Sequence, residues 1–283
     1  HDALPISDLK TAINYNEIYE QLAELSLEIY TPSKYIFPSK IEKYAELSHS
    51  ANLTQSGREE GIRRLMSVNL LKRLESSVYS FHLTLNRIRE LIVSTIDAID
   101  YYEAHGEVQL DMFEANADDF DMEDQNTDFF TVGRKVKIDL GDMDYWTWRK
   151  ALKRDAETLA LVSSMVADIT PEHDTKLQTL LSLISDKIEN PINPGNKKVL
   201  IFSAFSDTAE YLYDHVSQFV KEKYGLDIAI ITGTVDGRTT IKGFKGTLNN
   251  ILTCFSPISK NRDLLGAAGS QDIDILIATD CIS

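Results

Sequence analysis

Three short apolar runs end in residues that suit close contact with a phosphate or a sugar. Lys198–Phe202 (KVLIF) runs into Ser203 and Ala204, Leu226–Ile231 into Thr232 and Gly233, and Ile273–Ala278 into Thr279 and Asp280. Hydroxyls and small residues let an anionic backbone approach the main chain without reading its sequence. The same residue types also suit any strand-to-helix turn, so both readings stand at this level. A second group is basic: Arg63, Arg64, Lys72 and Arg73 in one periodic stretch, and Arg149, Lys150, Lys153 and Arg154 in another. Either is a guide for a polyanion or a solvated helix face offset by Glu59, Glu60, Glu75 and Asp155. Trp148 falls on an apolar stripe and is expected to pack. Trp146 faces elsewhere, which leaves base stacking open to it.

Other chemistries lack their residues. No GxxxxGK[ST] run is present to cradle a nucleotide phosphate, and no Asp-Glu-x-His or Asp-Glu-x-Asp run to hold Mg²⁺. Cys254 and Cys281 form no metal-ligand spacing, and the six histidines are scattered, so no metal site is assigned. The longest apolar runs fall far short of the roughly 20 residues that a membrane-spanning helix needs, and no secretory leader is evident. A cytoplasmic protein with reduced thiols is expected.

The 283 residues carry 29 Lys and Arg against 44 Asp and Glu, a net charge of −15. As a bulk figure this disfavours a general nucleic-acid binder. Twelve of the acids lie between Asp97 and Asp128, a stretch without Lys or Arg; removing them turns −15 into −3. The acidic stretch reads as a solvated loop, as an autoinhibitory mimic of DNA, or as a dock for a basic partner protein.

The elements that must position these groups follow from hydrophobic spacing. Ser7–Tyr30 has helical periodicity, closed by Pro32. Ser33–Pro38 is irregular, and Ile41–Leu47 suits a short helix. The stripe Leu71, Leu74, Val78, Phe81, Leu85, Ile88, Ile92 extends in both directions, and no Gly or Pro interrupts it between Gly61 and Gly106. It predicts a continuous helix of about 45 residues, near 70 Å long at 1.5 Å per residue, which asks for a partner. Tyr145–Val166 supplies one, making a helical hairpin with an acidic connector near residues 103–144 and a short strand at Arg134–Leu140. After Pro171 the pattern becomes α/β: a helix over Asp174–Ile188, a buried parallel strand at Lys198–Phe202, and a helix over Asp207–Tyr224 closed by Gly225. A strand at Leu226–Ile231, a helix at Leu248–Phe255 and a strand at Ile273–Ala278 complete it.

In this order, KKVLIFSAFSDTAEYL (Lys197–Leu212), AIITG (Ala229–Gly233), ILTCFSP (Ile251–Pro257) and DILIATDCIS (Asp274–Ser283) resemble the second RecA-like lobe of superfamily-two helicases. The first run resembles motif IV and the last the start of motif V. DTKLQTLLSLI, from Asp174, resembles the helix before motif IV in Swi/Snf-type ATPases. REEGIRRLMSVNLLKRLESSVYSF (Arg58–Phe81) is similar to a stretch that enters a helical insertion in bacterial members of that group. Leu9–Tyr35 resembles the tail of the first lobe, after motif III.

The resemblance implies an α/β-plus-α fold in three parts. Residues 1–57 would be a helical remnant of the first lobe, 58–170 a helical hairpin insertion, and 171–283 a truncated second lobe. Ser203, Thr232, Gly233 and Thr279 would lie along nucleic acid, most readily DNA, and Asp280 would face the nucleotide cleft. Arg63, Arg64, Lys72 and Arg73 would guide the backbone. The parent would use ATP and Mg²⁺ with its first lobe in cis. This chain, without Walker loop or arginine finger, is expected to bind neither cofactor and to be inactive alone. The lack of an initiator Met and the strand close to Ser283 are expected of a piece of a longer protein. A different class is also open: a non-enzymatic helical interaction module on a degenerate α/β domain. A nucleotide-binding transferase is disfavoured by the lack of a Gly-rich first turn.

Overall fold

The computed structural model describes residue 7 and residues 15–45, 55–106, 109–110, 138–233, 235–262 and 271–279. These are mostly helical, with one four-stranded mixed sheet, which places the chain in the α/β-plus-α class. They fall into two compact units, one of residues 15–168 and one of residue 7 with residues 169–279.

The helical unit opens with α1 (Tyr15–Ala23), shorter than the periodicity of Ser7–Tyr30 implies. The reason lies far along the chain. The Ser26 and Glu28 N–H groups donate to the two carboxylate oxygens of Asp155 at 2.9 and 2.8 Å, and Leu27 takes a left-handed conformation at φ 51°. The chain therefore turns around a buried acid instead of continuing as helix. Two 3₁₀ turns follow, Glu28–Tyr30 and Pro32–Tyr35, then a third at Pro38–Lys40 and the short α2 (Ile41–Ala45). Of the leading segment, residues 15–45 lie in the same unit as the long helices, and residue 7 lies in the other.

The long periodic stretch is two helices, α3 (Gln55–Ser76) and α4 (Val78–His105). Ser77 breaks it with extended backbone (φ −159°, ψ 138°), and its side chain accepts from the Ser80 N–H as an N-cap. Serine competes for local backbone bonds, so it caps as readily as it continues a helix. In place of one 70 Å rod stand helices of 22 and 28 residues, about 33 and 42 Å long. Gly106, at φ 77°, closes α4 in the left-handed region that glycine adopts without a Cβ penalty. Strands β1 (Gln109–Leu110) and β2 (Ile138–Asp139) form a two-residue antiparallel ribbon, and β2 is the described part of the strand expected at Arg134–Leu140.

Helix α5 (Tyr145–Val166) runs antiparallel to α4: Tyr102 meets Tyr145, Asp100 meets Arg149, and Asn86 meets Ser163. Its inward stripe is Trp148, Leu152, Asp155, Leu159, Val162 and Val166, all buried. The Trp148 Nε1–H donates to the Glu28 carbonyl at 3.0 Å, which fixes the packing role expected of that ring. Of the acidic stretch, residues 111–128 lie outside the described set.

In the second unit, α6 (Thr175–Glu189) is capped by Asp174, which accepts from the Lys176 and Leu177 N–H groups. Strand β3 (Val199–Phe202), helix α7 (Ser206–Tyr224), strands β4 (Ile228–Thr232) and β5 (Val235–Thr239), helix α8 (Leu248–Phe255) and strand β6 (Ile275–Ala278) follow. The sheet order is β3-β6-β4-β5, with β3, β6 and β4 parallel and β5 antiparallel on β4. Alternation along the strands sorts the core. Ile228, Ile230, Ile275 and Ile277 pack under α6 and α7, while Ala229, Ile231 and Leu276 pack with Ile251 and Cys254 of α8.

Two expectations are corrected here. Strand β5 is an element that the sequence reading omitted. Strand β3 is not fully buried: it ends the sheet, and Leu200 and Phe202 are 45% and 54% exposed on the face that α8 covers only over β4 and β6. At the middle of β5 two backbones cross so closely that a Cβ on Gly246 would fall on the Gly237 carbonyl, and one on Gly237 would lie 2.8 Å from the Gly246 carbonyl oxygen.

Candidate nucleic-acid interface

The parallel pairing fixes the level of the three strand ends. Phe202 pairs with Ala278, and Ala278 with Ile231. The ladder runs one step further: Ser203 N–H donates to Ala278 O at 3.0 Å, and Thr279 N–H to Ile231 O at 3.1 Å. Ser203, Thr279 and Thr232 therefore form a row across the carboxyl edge of β3, β6 and β4, where open parallel sheets receive ligands. Gly233 follows, exposed, at the turn. Asp280 lies outside the described residues.

The row is not equally available. The Ser203 hydroxyl turns back on its own loop, accepting from the Phe205 N–H at 3.2 Å and donating to the Phe205 carbonyl at 2.9 Å. Thr279 is fully buried. Thr232 is 5% exposed, and its Oγ1 has no hydrogen-bond partner among the described residues. A buried hydroxyl left unpaired costs about 1–3 kcal/mol.

The basic group on α3 does not form the free surface that its spacing suggests. Arg63 and Arg64 both bind Glu60; Arg63 does so with two nitrogens, and Arg64 Nε at 3.1 Å. These bonds, that from Arg63 foremost, hold the Glu60 carboxyl down to about 2. Arg73 is 1% exposed, so it cannot guide a backbone. Its Nε donates to Asn69 at 3.1 Å and its Nη1 to Ser80 at 2.9 Å, which ties α3 to α4 across the Ser77 break. Lys72 alone of the four is exposed without an ion pair among the described residues.

Two acids expected on solvated faces are also buried. Glu59 accepts from the N–H and hydroxyl of Ser33, and Asp155 holds the Ser26–Glu28 turn. The signal for Asp155 was present, since it sits on the Leu152–Leu159 stripe. Of the basic residues on α5, Arg149 pairs with Asp100 and Arg154 with Glu24, whereas Lys150 and Lys153 are exposed and have no ion pair among the described residues.

Among the described residues no group of three or more His, Cys, Asp or Glu is placed to hold a metal ion, and no helix is long and apolar enough to cross a membrane. No protein-family model, curated protein or solved structure matches the chain.

Proposed function

We propose that this chain is the second-lobe part of an ATP-dependent helicase or DNA translocase of superfamily two, and that it supplies a nucleic-acid-binding edge and one side of a nucleotide cleft. The observation that carries the reading is the level row Ser203–Thr279–Thr232 at the carboxyl edge of three parallel strands. Of these strands, β3 and β6 lie in the runs that resemble motif IV and the start of motif V, and β4 lies in the run AIITG that follows motif IV in the resemblance. With the Ser203 and Thr279 amides spent in the ladder, the Thr232 hydroxyl and the exposed turn at Gly233 would be the groups that meet a phosphate, in any sequence, as a translocating enzyme requires. ATP and Mg²⁺ would enter with the first lobe, whose phosphate loop and acid pair this sequence lacks.

The test uses the purified chain and labelled oligonucleotides at low salt. Weak, sequence-independent binding is expected, with Kd on the order of 10⁻⁴–10⁻⁶ M and steeply salt-dependent. Thr232→Val keeps the shape and removes the unpaired hydroxyl, so the fold should be as stable or slightly more so. Affinity should fall about 5- to 10-fold, the worth of one hydrogen bond. Absence of binding, unchanged affinity in Thr232→Val, or DNA-stimulated ATP hydrolysis by the chain alone would refute the proposal.

A further inference from the structure

The outward face of α5 carries Trp146, Lys150 and Lys153 at i, i+4 and i+7. Because Trp148, Leu152, Asp155 and Leu159 take the inward stripe, these three point to solvent. Trp146 is 55% exposed although the Tyr145 ring stacks on it at 5.9 Å. The segment Tyr145–Arg154 holds four basic residues and no acid. The acids at its two ends are engaged: Asp144 caps the helix through the Thr147 N–H and hydroxyl, and Asp155 is buried in the Ser26–Glu28 turn. Asp100, whose charge Lys153 feels, is bound by Arg149. Glu157, one turn beyond Lys153, is exposed and bounds the basic face.

We infer that this face of α5 binds single-stranded nucleic acid, with a base stacked on Trp146 and phosphates on Lys150 and Lys153. The inference rests on the nucleic-acid reading above and names the helix face and the strand form. Along the helix axis the backbone positions of Lys150 and Lys153 follow that of Trp146 by about 6 and 10 Å, so a strand laid along the helix meets an aromatic residue, a lysine and a lysine in turn. A base inside a duplex cannot offer its face to the ring, whereas an unpaired base can. An acidic peptide would meet the lysines but gain nothing from the ring, whose π face is negative.

The chain has two tryptophans, and Trp148 is fully buried, so emission changes report on Trp146. Adding oligo-dT to the full chain should quench that emission. Trp146→Ala should weaken oligo-dT binding about 5- to 100-fold, and Trp146→Phe should restore part of it. Lys150→Gln with Lys153→Gln should reduce the slope of log K against log salt by about 1.4. Circular dichroism checks that these surface variants keep the fold. If Trp146→Ala binds like wild type while Thr232→Val binds weakly, the inference fails and the strand-end reading stands. If wild type binds no oligonucleotide, both fail together. Equal quenching by poly-glutamate would overturn the nucleic-acid assignment in favour of an acidic protein partner.

Discussion

Asp155 holds the Ser26–Glu28 turn from about 130 residues away in sequence, and its removal has a calculable cost. The side chain is 1% exposed, and its two oxygens accept separately, Oδ1 from Ser26 N–H and Oδ2 from Glu28 N–H. In Asp155→Ala both donors lose their acceptor. The Glu28 N–H is buried and carries the full penalty of about 1–3 kcal/mol; the partly buried Ser26 N–H carries less. About 2–5 kcal/mol in total is expected. Asp155→Asn keeps one acceptor and turns an NH₂ toward the other donor, so about half of that loss is expected. At roughly 2–4 °C per kcal/mol for a unit of this size, Asp155→Ala should lower Tm by about 4–20 °C. Calorimetry or circular dichroism melting measures both variants.

The pH dependence has a definite sign. Burial pushes the Asp155 carboxyl above the usual range, against the pull of the backbone N–H groups, and the nearby Glu28 charge adds to the push. The folded state therefore binds this proton more tightly than the unfolded state does. The resulting stability is fully present below the unfolded pKa, about 3.9, and is lost as pH rises through the higher folded value. The gap between wild type and Asp155→Asn should narrow from about pH 4 upward. Equal melting of both variants and wild type, or a gap that widens over that range, would refute the reasoning.

Gly246→Ala drives a Cβ into the Gly237 carbonyl, where both partners are backbone, and should destabilise the sheet unit by several kcal/mol, about 3 or more; urea unfolding measures it. Asp142 accepts from Lys43, Tyr44 and Lys40, the Lys43 bond acting most strongly, and its carboxyl is held down to about 2. Stability from this group is present above about pH 4 and lost as pH falls toward 2, so Asp142→Asn should flatten that part of an acid-unfolding curve. Arg73→Ala strips Asn69 and Ser80 of their shared partner at the α3–α4 junction and should cost about 2–5 kcal/mol in denaturant unfolding, with oligonucleotide affinity at 20 °C unchanged.

What the sequence reveals and what it hides divide by range. Asp174 capping α6 and Gly225 closing α7 are local chemistry and can be read directly. So can the three parallel strands, whose apolar runs are short and sharply bounded. The break at Ser77 is hidden because serine fits both a helix interior and a cap. The fifth strand is hidden because Val-Asp-Gly-Arg-Thr has the composition of a turn, and its pairing with β4 supplies the order. The early end of α1 depends on Asp155, whose partners are remote. The basic cluster misleads for a related reason: spacing shows that Arg63, Arg64 and Arg73 share a helix, but not that Glu60, Asn69 and Ser80 already hold them.

The strand order also sets a schedule. Strands β3 and β4 never touch; each pairs with β6, which is synthesised last. At about 5–20 residues per second, the 80 residues from Val199 to Ala278 occupy a ribosome for roughly 4–16 s. During that interval Val199–Phe202 and Ile228–Thr232 wait unpaired with each other, and the only strand partner β4 has is β5, beside its packing on α6 and α7. The hydroxyl row is therefore a late product of translation: two of its members are made early and aligned only when the third arrives between them.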